Sequence, residues 1–228
     1  MPPFDRLFKF MSKPAVFVSC ALLIILCFLY IDKPLAEFLR GLNLRVRAVP
    51  LNWLTKLGVG LTYLATFFVL AVFFRHAKPN KLWEDRFWFL LSCLVIANII
   101  CGVLKVILGR ARPSMWFENH LYGFYGFQGK APFWSFPSGH TTTIMAVAFG
   151  MSVVFPRHCY AFIIAGLSVA VSRILLTHHY LSDVLSAAYL TLLEVGFFLW
   201  YLKKKNWLEG AWKTSYLKEK AIKGVSCS

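Results

Sequence analysis

Three short stretches of this chain carry residues that could do chemistry. The richest is Ser172-Arg173-Ile174-Leu175-Leu176-Thr177-His178-His179-Tyr180-Leu181-Ser182-Asp183. An apolar run closes on Arg173, His179 comes six residues later, and Asp183 four after that. On a helix, residues four apart share a face, so Asp183 is expected to hold the imidazole of His179. A histidine oriented by a carboxylate is equipped to act as a base or a nucleophile. The planar fork of an arginine beside it suits phosphate oxygens.

The second stretch is Phe136-Pro137-Ser138-Gly139-His140. Proline fits the first turn of a helix. Ser138 and Gly139 would then offer free backbone N–H groups at a helix N-terminus, where the dipole also favours an anion. The Ser138 hydroxyl adds a donor, Gly139 admits a ligand close to the backbone, and His140 adds a titratable ring. The remaining stretch holds Lys105 near the end of an apolar run, followed by Arg110 and Arg112-Pro113. A charge in such a place is costly unless it faces a polar cavity or a partner. Taken singly, each stretch has a plainer account: a structural His–Asp pair, an ordinary helix cap, a snorkelling lysine.

The elements that must position these residues are those of a membrane protein. Hydrophobic residues make up 58% of the chain and charged residues 15%, against about 25% charged in soluble domains. The length of 228 residues fits one domain, 1–228. Apolar runs at 15–31, 58–74, 87–108, 140–155, 160–176 and 184–202 predict six transmembrane helices in an all-α bundle. The first run is long for a signal peptide, and Ile31-Asp32-Lys33-Pro34 offers no small-x-small cleavage site. Residues 1–14 form a short basic amphipathic lead-in. Within the polar connection 32–56, Leu35, Phe38, Leu39 and Leu42 have helical spacing, which predicts a short helix on the membrane surface. Residues 75–86 read as a charged turn. The basic tail, 203–228, carries Trp207, Trp212 and Tyr216 as an interface-lying segment would.

Six spans put both termini on one side, which carries 15 Lys and Arg against 8 on the other. The positive-inside rule makes the richer side cytoplasmic. Membrane topology thus accounts for the net charge of +15, and no soluble basic domain remains to bind nucleic acid. Cys20, Cys27, Cys93, Cys101, Cys159 and Cys227 show no C-x-x-C spacing. They read as apolar filler in helices plus one tail thiol, with no disulfide or zinc site expected.

This topology delivers Lys105, Arg112, Ser138, Gly139, His140, Arg173, His179 and Asp183 to one outer membrane face from three distant segments. Cations and a helix N-terminus make an oxyanion site for a phosphate, and two histidines suit a nucleophile and a general acid. Lys105-x6-Arg112-Pro113, Pro137-Ser138-Gly139-His140 and Ser172-Arg173-x5-His179-x3-Asp183 resemble the three-part signature of the type 2 phosphatidic acid phosphatase family, whose superfamily includes bacterial acid phosphatases and vanadium haloperoxidases. The resemblance implies a metal-independent, cofactor-free mechanism. His179 would form a phosphohistidine, Asp183 would fix its tautomer, and His140 would protonate the leaving oxygen. Lys105, Arg112, Ser138, the Gly139 backbone and Arg173 would hold the phosphoryl oxygens. Spacing favours His179 over its neighbour His178. Arg110 stands outside the signature, close enough to help bind a second phosphate or a headgroup. His76, His120 and His158 read as solvated or interface residues.

A site between apolar helices at the membrane surface suggests a phosphorylated lipid. The resemblance allows undecaprenyl pyrophosphate, phosphatidylglycerol phosphate, phosphatidic acid or a lipid A phosphate, in a bacterial inner membrane. The aromatic loop 114–134 would line the entry, recognise a headgroup or form an interfacial belt. A lipid phosphotransferase using the same phosphohistidine, or a non-catalytic membrane binder, are the rival readings. The oligomeric state is open.

Overall fold

The computed structural model describes residues 1–205. Trp207, Trp212, Tyr216 and Cys227, and with them most of the basic tail, lie outside the described residues. Among the described residues the chain is helical, and its only β-type pairing is an isolated bridge between Arg110 and Phe124.

The first helix departs from expectation. Helix α2 (Pro14–Leu26) passes through a π-helical turn, Cys27–Ile31, directly into α3 (Asp32–Leu42). The three form one helix of 29 residues. The separate surface helix expected after residue 31 is thus an extension of the first span. A buried Asp32 with partners of its own permits this, and the helix ends only at Asn43, in the left-handed region at φ 51°. No residue of α2 is buried, as for a helix set against lipid tails.

After α4 (Leu44–Arg47) come α5 (Val49–Lys56) and α6 (Gly60–His76), an apolar pair bent by 41°. Helix α7 (Lys81–Leu108) starts at Asn80, whose side chain accepts from the Trp83 N–H at 3.3 Å. Lys81 to Arg86 are therefore helical rather than a turn, with Lys81 Nζ 2.9 Å from Asp85. The short α8 (Pro113–Asn119) precedes α9 (Gly139–Val154), α10 (Cys159–Leu175) and α11 (Leu181–Lys204).

Among the described residues four helices, Pro14–Leu42, Lys81–Leu108, Pro156–Leu175 and Leu181–Lys204, are long and apolar enough to cross a membrane. The bent pair α5–α6 makes five. The expected sixth, α9, is apolar but has 16 residues. Many large apolar side chains on these helices are exposed, which suits lipid and not water. This is a helical membrane protein.

Helix α9 is the axis of the bundle, with eleven of its 16 residues buried. Met145 and Phe149 meet Leu90 and Leu94 of α7 and Val195 and Leu199 of α11 in one apolar cluster. In lipid, close approach of helices depends on small residues at the interface. A Cβ added at Gly166 would lie 2.9 Å from the Ala148 Cβ and 3.0 Å from the Met145 Sδ. Gly166→Val is accordingly expected to destabilise the bundle by about 1–3 kcal/mol. Thermal unfolding in detergent should show a lowered midpoint. Gly102→Ala, whose Cβ meets nothing within 4 Å, should not lower it. Equal midpoints for the two variants would refute this packing.

Helix α1 (Pro3–Met11) tucks beneath one end of the bundle. Phe4 is buried against Phe149, with ring centroids 5.8 Å apart, and Asp5 pairs with Lys203 at 2.8 Å. The C-terminal ends of α7 and α10 and the N-terminal ends of α9 and α11 gather at the opposite end.

Candidate active site

Helix α7 stops at Gly109, whose φ is +54° and whose N–H returns to the Lys105 carbonyl at 3.1 Å. A Cβ there would sit 2.0 Å from the Gly126 carbonyl, so the turn requires glycine. The chain then runs back over the helix end. Arg112 N–H donates to the Pro132 carbonyl and Ser135 N–H to the Arg110 carbonyl, both at 3.0 Å. Ser138 caps α9, its hydroxyl oxygen accepting from the Thr141 hydroxyl at 3.0 Å. Between α10 and α11 the chain turns tightly. The His178 and His179 N–H groups both reach the Arg173 carbonyl, at 3.0 and 3.3 Å. Arg45 Nε fastens this turn from outside by donating to the Leu176 carbonyl at 2.8 Å.

His179 is buried, and its surroundings set its tautomer. Nδ1 lies 2.8 Å from the Ser135 carbonyl oxygen. A carbonyl only accepts, so Nδ1 carries the proton and Nε2 keeps its lone pair. Asp183 Oδ2 stands 3.6 Å from the same nitrogen. That is an electrostatic contact and not a hydrogen bond, so Ser135 takes the hydrogen-bonding part expected of Asp183. Burial pushes the ring's pKa down to about 3; the nearby negative charge of Asp183 opposes this, and Lys105 and Arg173 add to it. The imidazole is therefore neutral at physiological pH.

Asp183 is fixed by three donors: Arg110 Nη1 at 2.6 Å, the Ser135 hydroxyl at 2.6 Å and the Tyr180 N–H at 2.9 Å. The sequence reading of Arg110 as close enough to help bind a second phosphate or a headgroup is corrected here. Arg110 is fully buried, and its other arm, Nη2, lies 2.6 Å from Asp32. Phe28 and Tyr180 flank the guanidinium, their ring centroids each 4.9 Å from Cζ. Burial works against the charge of Arg110, and Asp183 and Asp32 more than offset it, holding its pKa above the ordinary arginine value.

The other cations have only neutral partners. Lys105 Nζ donates to the Trp134 carbonyl at 2.9 Å, and Arg173 Nη1 to the Thr55 hydroxyl at 2.6 Å. A Cβ at Gly139 would stand 3.8 Å from Lys105 Nζ, so the lysine tip rests at the start of α9. The charges of Lys105, Arg112 and Arg173 all act on His140. Among the described residues none of these three cations has an ion-pair partner. Grouped, partly buried positive charge of this kind calls for an anion. His140 is packed by the break between α5 and α6, where a Cβ at Gly58 would fall 2.8 Å from its Cβ.

All eight residues singled out in the sequence lie at this end of the bundle. One expected donor is withdrawn, because the Ser138 N–H reaches the Asp183 carbonyl at 3.3 Å. The Ser138 hydroxyl proton and the Gly139 N–H remain available. His178 is half-buried, its pKa also pushed down to about 3, by burial and then by Arg173 and Arg45. The aromatic loop is used internally in part, while Phe124, Tyr125 and Phe127 stay exposed. Tyr122 donates to the Phe28 carbonyl, and Trp116 Nε1 to Glu37 at 2.9 Å, docking the loop on the first helix. Asp32, Thr55 and Ser135 were not legible as site residues.

Known proteins share sequence with the segment that carries this site. The PAP2 superfamily profile matches residues 86–207. A lipid A 1-phosphatase of Rhizobium etli is 36% identical over 98 residues, which are 43% of this chain and 42% of that protein. A lipid A 1-phosphatase of Rhizobium johnstonii is 35% identical over 98 residues, 43% of this chain and 40% of that one. A PA-phosphatase related-family protein of Dictyostelium discoideum is 27% identical over 144 residues, 54% of this chain and 26% of that one. The match thus spans less than half the length of each relative. The crystal structure of a transmembrane PAP2-type phosphatidylglycerolphosphate phosphatase from Bacillus subtilis superposes with a TM-score of 0.46 at 20% identity, covering 89% of this chain and 92% of that one. The profile match takes in more than half of the 228 residues and every one of the three motifs between Lys105 and Asp183, and by it this chain belongs to the PAP2 superfamily.

Proposed function

We propose that this chain is a membrane lipid phosphatase working through a covalent phosphohistidine at His179. The observation that carries this reading is His179, its Nδ1 held by the Ser135 carbonyl, at the end of the bundle that also gathers three cations without carboxylate partners around His140. Lys105, Arg112, Arg173, the Ser138 hydroxyl and the Gly139 N–H hold the phosphoryl oxygens. The Nε2 lone pair of His179 attacks phosphorus, the bond from phosphorus to the lipid oxygen breaks, and His140 gives that oxygen its proton. His140, now neutral, takes a proton from water. The resulting hydroxide attacks phosphorus, the P–N bond breaks, phosphate leaves, and Nε2 regains its lone pair. Positioned donors of this kind act most strongly on the transition state.

The substrate class is a phosphorylated lipid, and similarity to the two Rhizobium lipid A 1-phosphatases puts a lipid A phosphate first. Undecaprenyl pyrophosphate, phosphatidylglycerol phosphate and phosphatidic acid complete the panel. The charge asymmetry between loops supports a plasma-membrane protein with both termini cytoplasmic and the site facing the periplasm or exterior.

The test is release of inorganic phosphate from this panel by detergent-purified protein, beside His179→Ala. The cationic lining repels a divalent metal, and no group of three or more His, Cys, Asp or Glu side chains suited to a metal occurs among the described residues. Rates are therefore expected to be unchanged in EDTA. Loss in EDTA and recovery with magnesium would refute the mechanism. Turnover only when an acceptor lipid is added would make the enzyme a phosphotransferase.

A further inference from the structure

Asp32 is buried at the start of α3, at the exit of the π-helical turn, and lies outside the family match at 86–207. A π-turn shifts the facing of the residues after it, and such turns are often found at functional sites. Here Asp32 points into the bundle. It accepts from Arg110 Nη2 at 2.6 Å, from the Ser182 N–H at 3.0 Å, and from the Ser182 hydroxyl. Arg110 in turn donates to the Ser182 hydroxyl at 2.7 Å and to Asp183 at 2.6 Å. The groups read in order as Asp32, Arg110, Asp183 and then the His179 ring. Asp32, Arg110 and Asp183 are each 0–1% exposed.

The charges in this row decide its role. If Asp183 and Arg110 stood alone they would cancel, and the ring would meet a neutral pair. Asp32 makes the three groups net negative. When Nε2 bonds to phosphorus while Nδ1 keeps its proton, the imidazole becomes cationic. The row and the ring together are then neutral, which a buried site favours. A tie that served only to dock the first helix would need no second carboxylate on the arginine that grips Asp183.

We infer that Asp32 is a positioning residue for His179. Acting through Arg110, it leaves Asp183 with uncompensated negative charge behind the ring and so stabilises the covalent phosphohistidine. This rests on His179 being the nucleophile.

The experiment uses the full-length protein in detergent and two inhibitors. Vanadate mimics the transition state and bonds to the ring nitrogen, whereas inorganic phosphate only fills the anion site. Asp32→Asn should lower kcat by on the order of 10–100-fold, by analogy with removing a partner that orients a metal-bound histidine. The vanadate inhibition constant should rise by a similar factor, with that for phosphate moving less than about threefold. Asp32→Glu, which keeps the charge, should hold the ratio of the two constants within about threefold of wild type. A variant kcat near wild type, or parallel weakening of both inhibitors, overturns the inference. If Asp32→Asn does not fold, Asp32→Glu decides: a collapsed ratio despite the retained charge overturns it. A wild type that vanadate does not inhibit would overturn the phosphohistidine reading, and this inference with it. Inhibition of wild type with no change in the Asn variant would overturn this inference alone.

Discussion

Replacing His179 with alanine should lower phosphate release by at least about 10⁴-fold, as removal of a nucleophile or its essential base does elsewhere. The size follows from what remains. Lys105, Arg112 and Arg173 would still bind the phosphate, so KM should change little. No other side chain could supply the attacking lone pair in its place. His178 is also neutral, and its N–H shares the Arg173 carbonyl with that of His179. Only the His179 ring, however, has Nδ1 held by Ser135. His178→Ala should therefore keep activity within about tenfold of wild type. Residual activity above a few per cent in His179→Ala would refute the nucleophile assignment.

The same ring makes a statement about pH. An ordinary imidazole is half protonated near pH 6.5. Burial lowers the value for His179 to about 3, so the attacking form is fully present above the ordinary value and persists as pH falls below it. At pH 5 about 99% of the ring would still be neutral. Any acid limb in kcat/KM above pH 5 must then come from the substrate phosphate or from another group.

His140→Gln should show an effect that depends on the substrate. With a lipid phosphate the leaving group is an alkoxide or sugar oxygen, which needs a proton as it departs. Loss of a general acid there costs roughly 10²–10⁴-fold. With p-nitrophenyl phosphate the leaving group is a stable anion, so formation of the phosphohistidine should slow only a few-fold. A burst of nitrophenol followed by slow turnover is the expected time course, because His140 is also needed to activate water in the second step. Equal slowing of phosphohistidine formation on both substrates, with no burst, would show that His140 holds the phosphate instead of moving a proton.

Much of the site was legible because its signals are local. The six-residue spacing from Arg173 to His179, the four-residue step to Asp183 and the Pro-Ser-Gly helix start all lie within one or two turns of chain. What escaped was long-range. Ser135 sits among Phe133, Trp134 and Phe136 with nothing to mark it, yet its carbonyl sets the tautomer of a residue 44 positions away. Asp32 followed an apolar run and so resembled the end of a span. Its partners are 78 and 150 residues distant. Arg110 looked like spare positive charge because its two carboxylates lie in other segments. Of the six expected spans, four are straight helices long and apolar enough to cross among the described residues, for a related reason. The bend between α5 and α6 packs Gly58 on His140, and α9 begins at the site itself, so the needs of the site interrupt the apolar pattern.

The brevity of α9 also sets a depth. At 16 residues this helix is about 24 Å long, roughly 6 Å less than the hydrocarbon thickness of a bilayer. If its far end meets one boundary of the hydrocarbon, the Ser138 cap falls short of the other. On the proposed function, a substrate phosphate would then have to come below the level of its neighbours, or the bilayer would have to thin around the protein. Either displacement would bring water and charge into a layer that normally excludes both, and the three cations at the floor of that depression would supply the attraction for the phosphate.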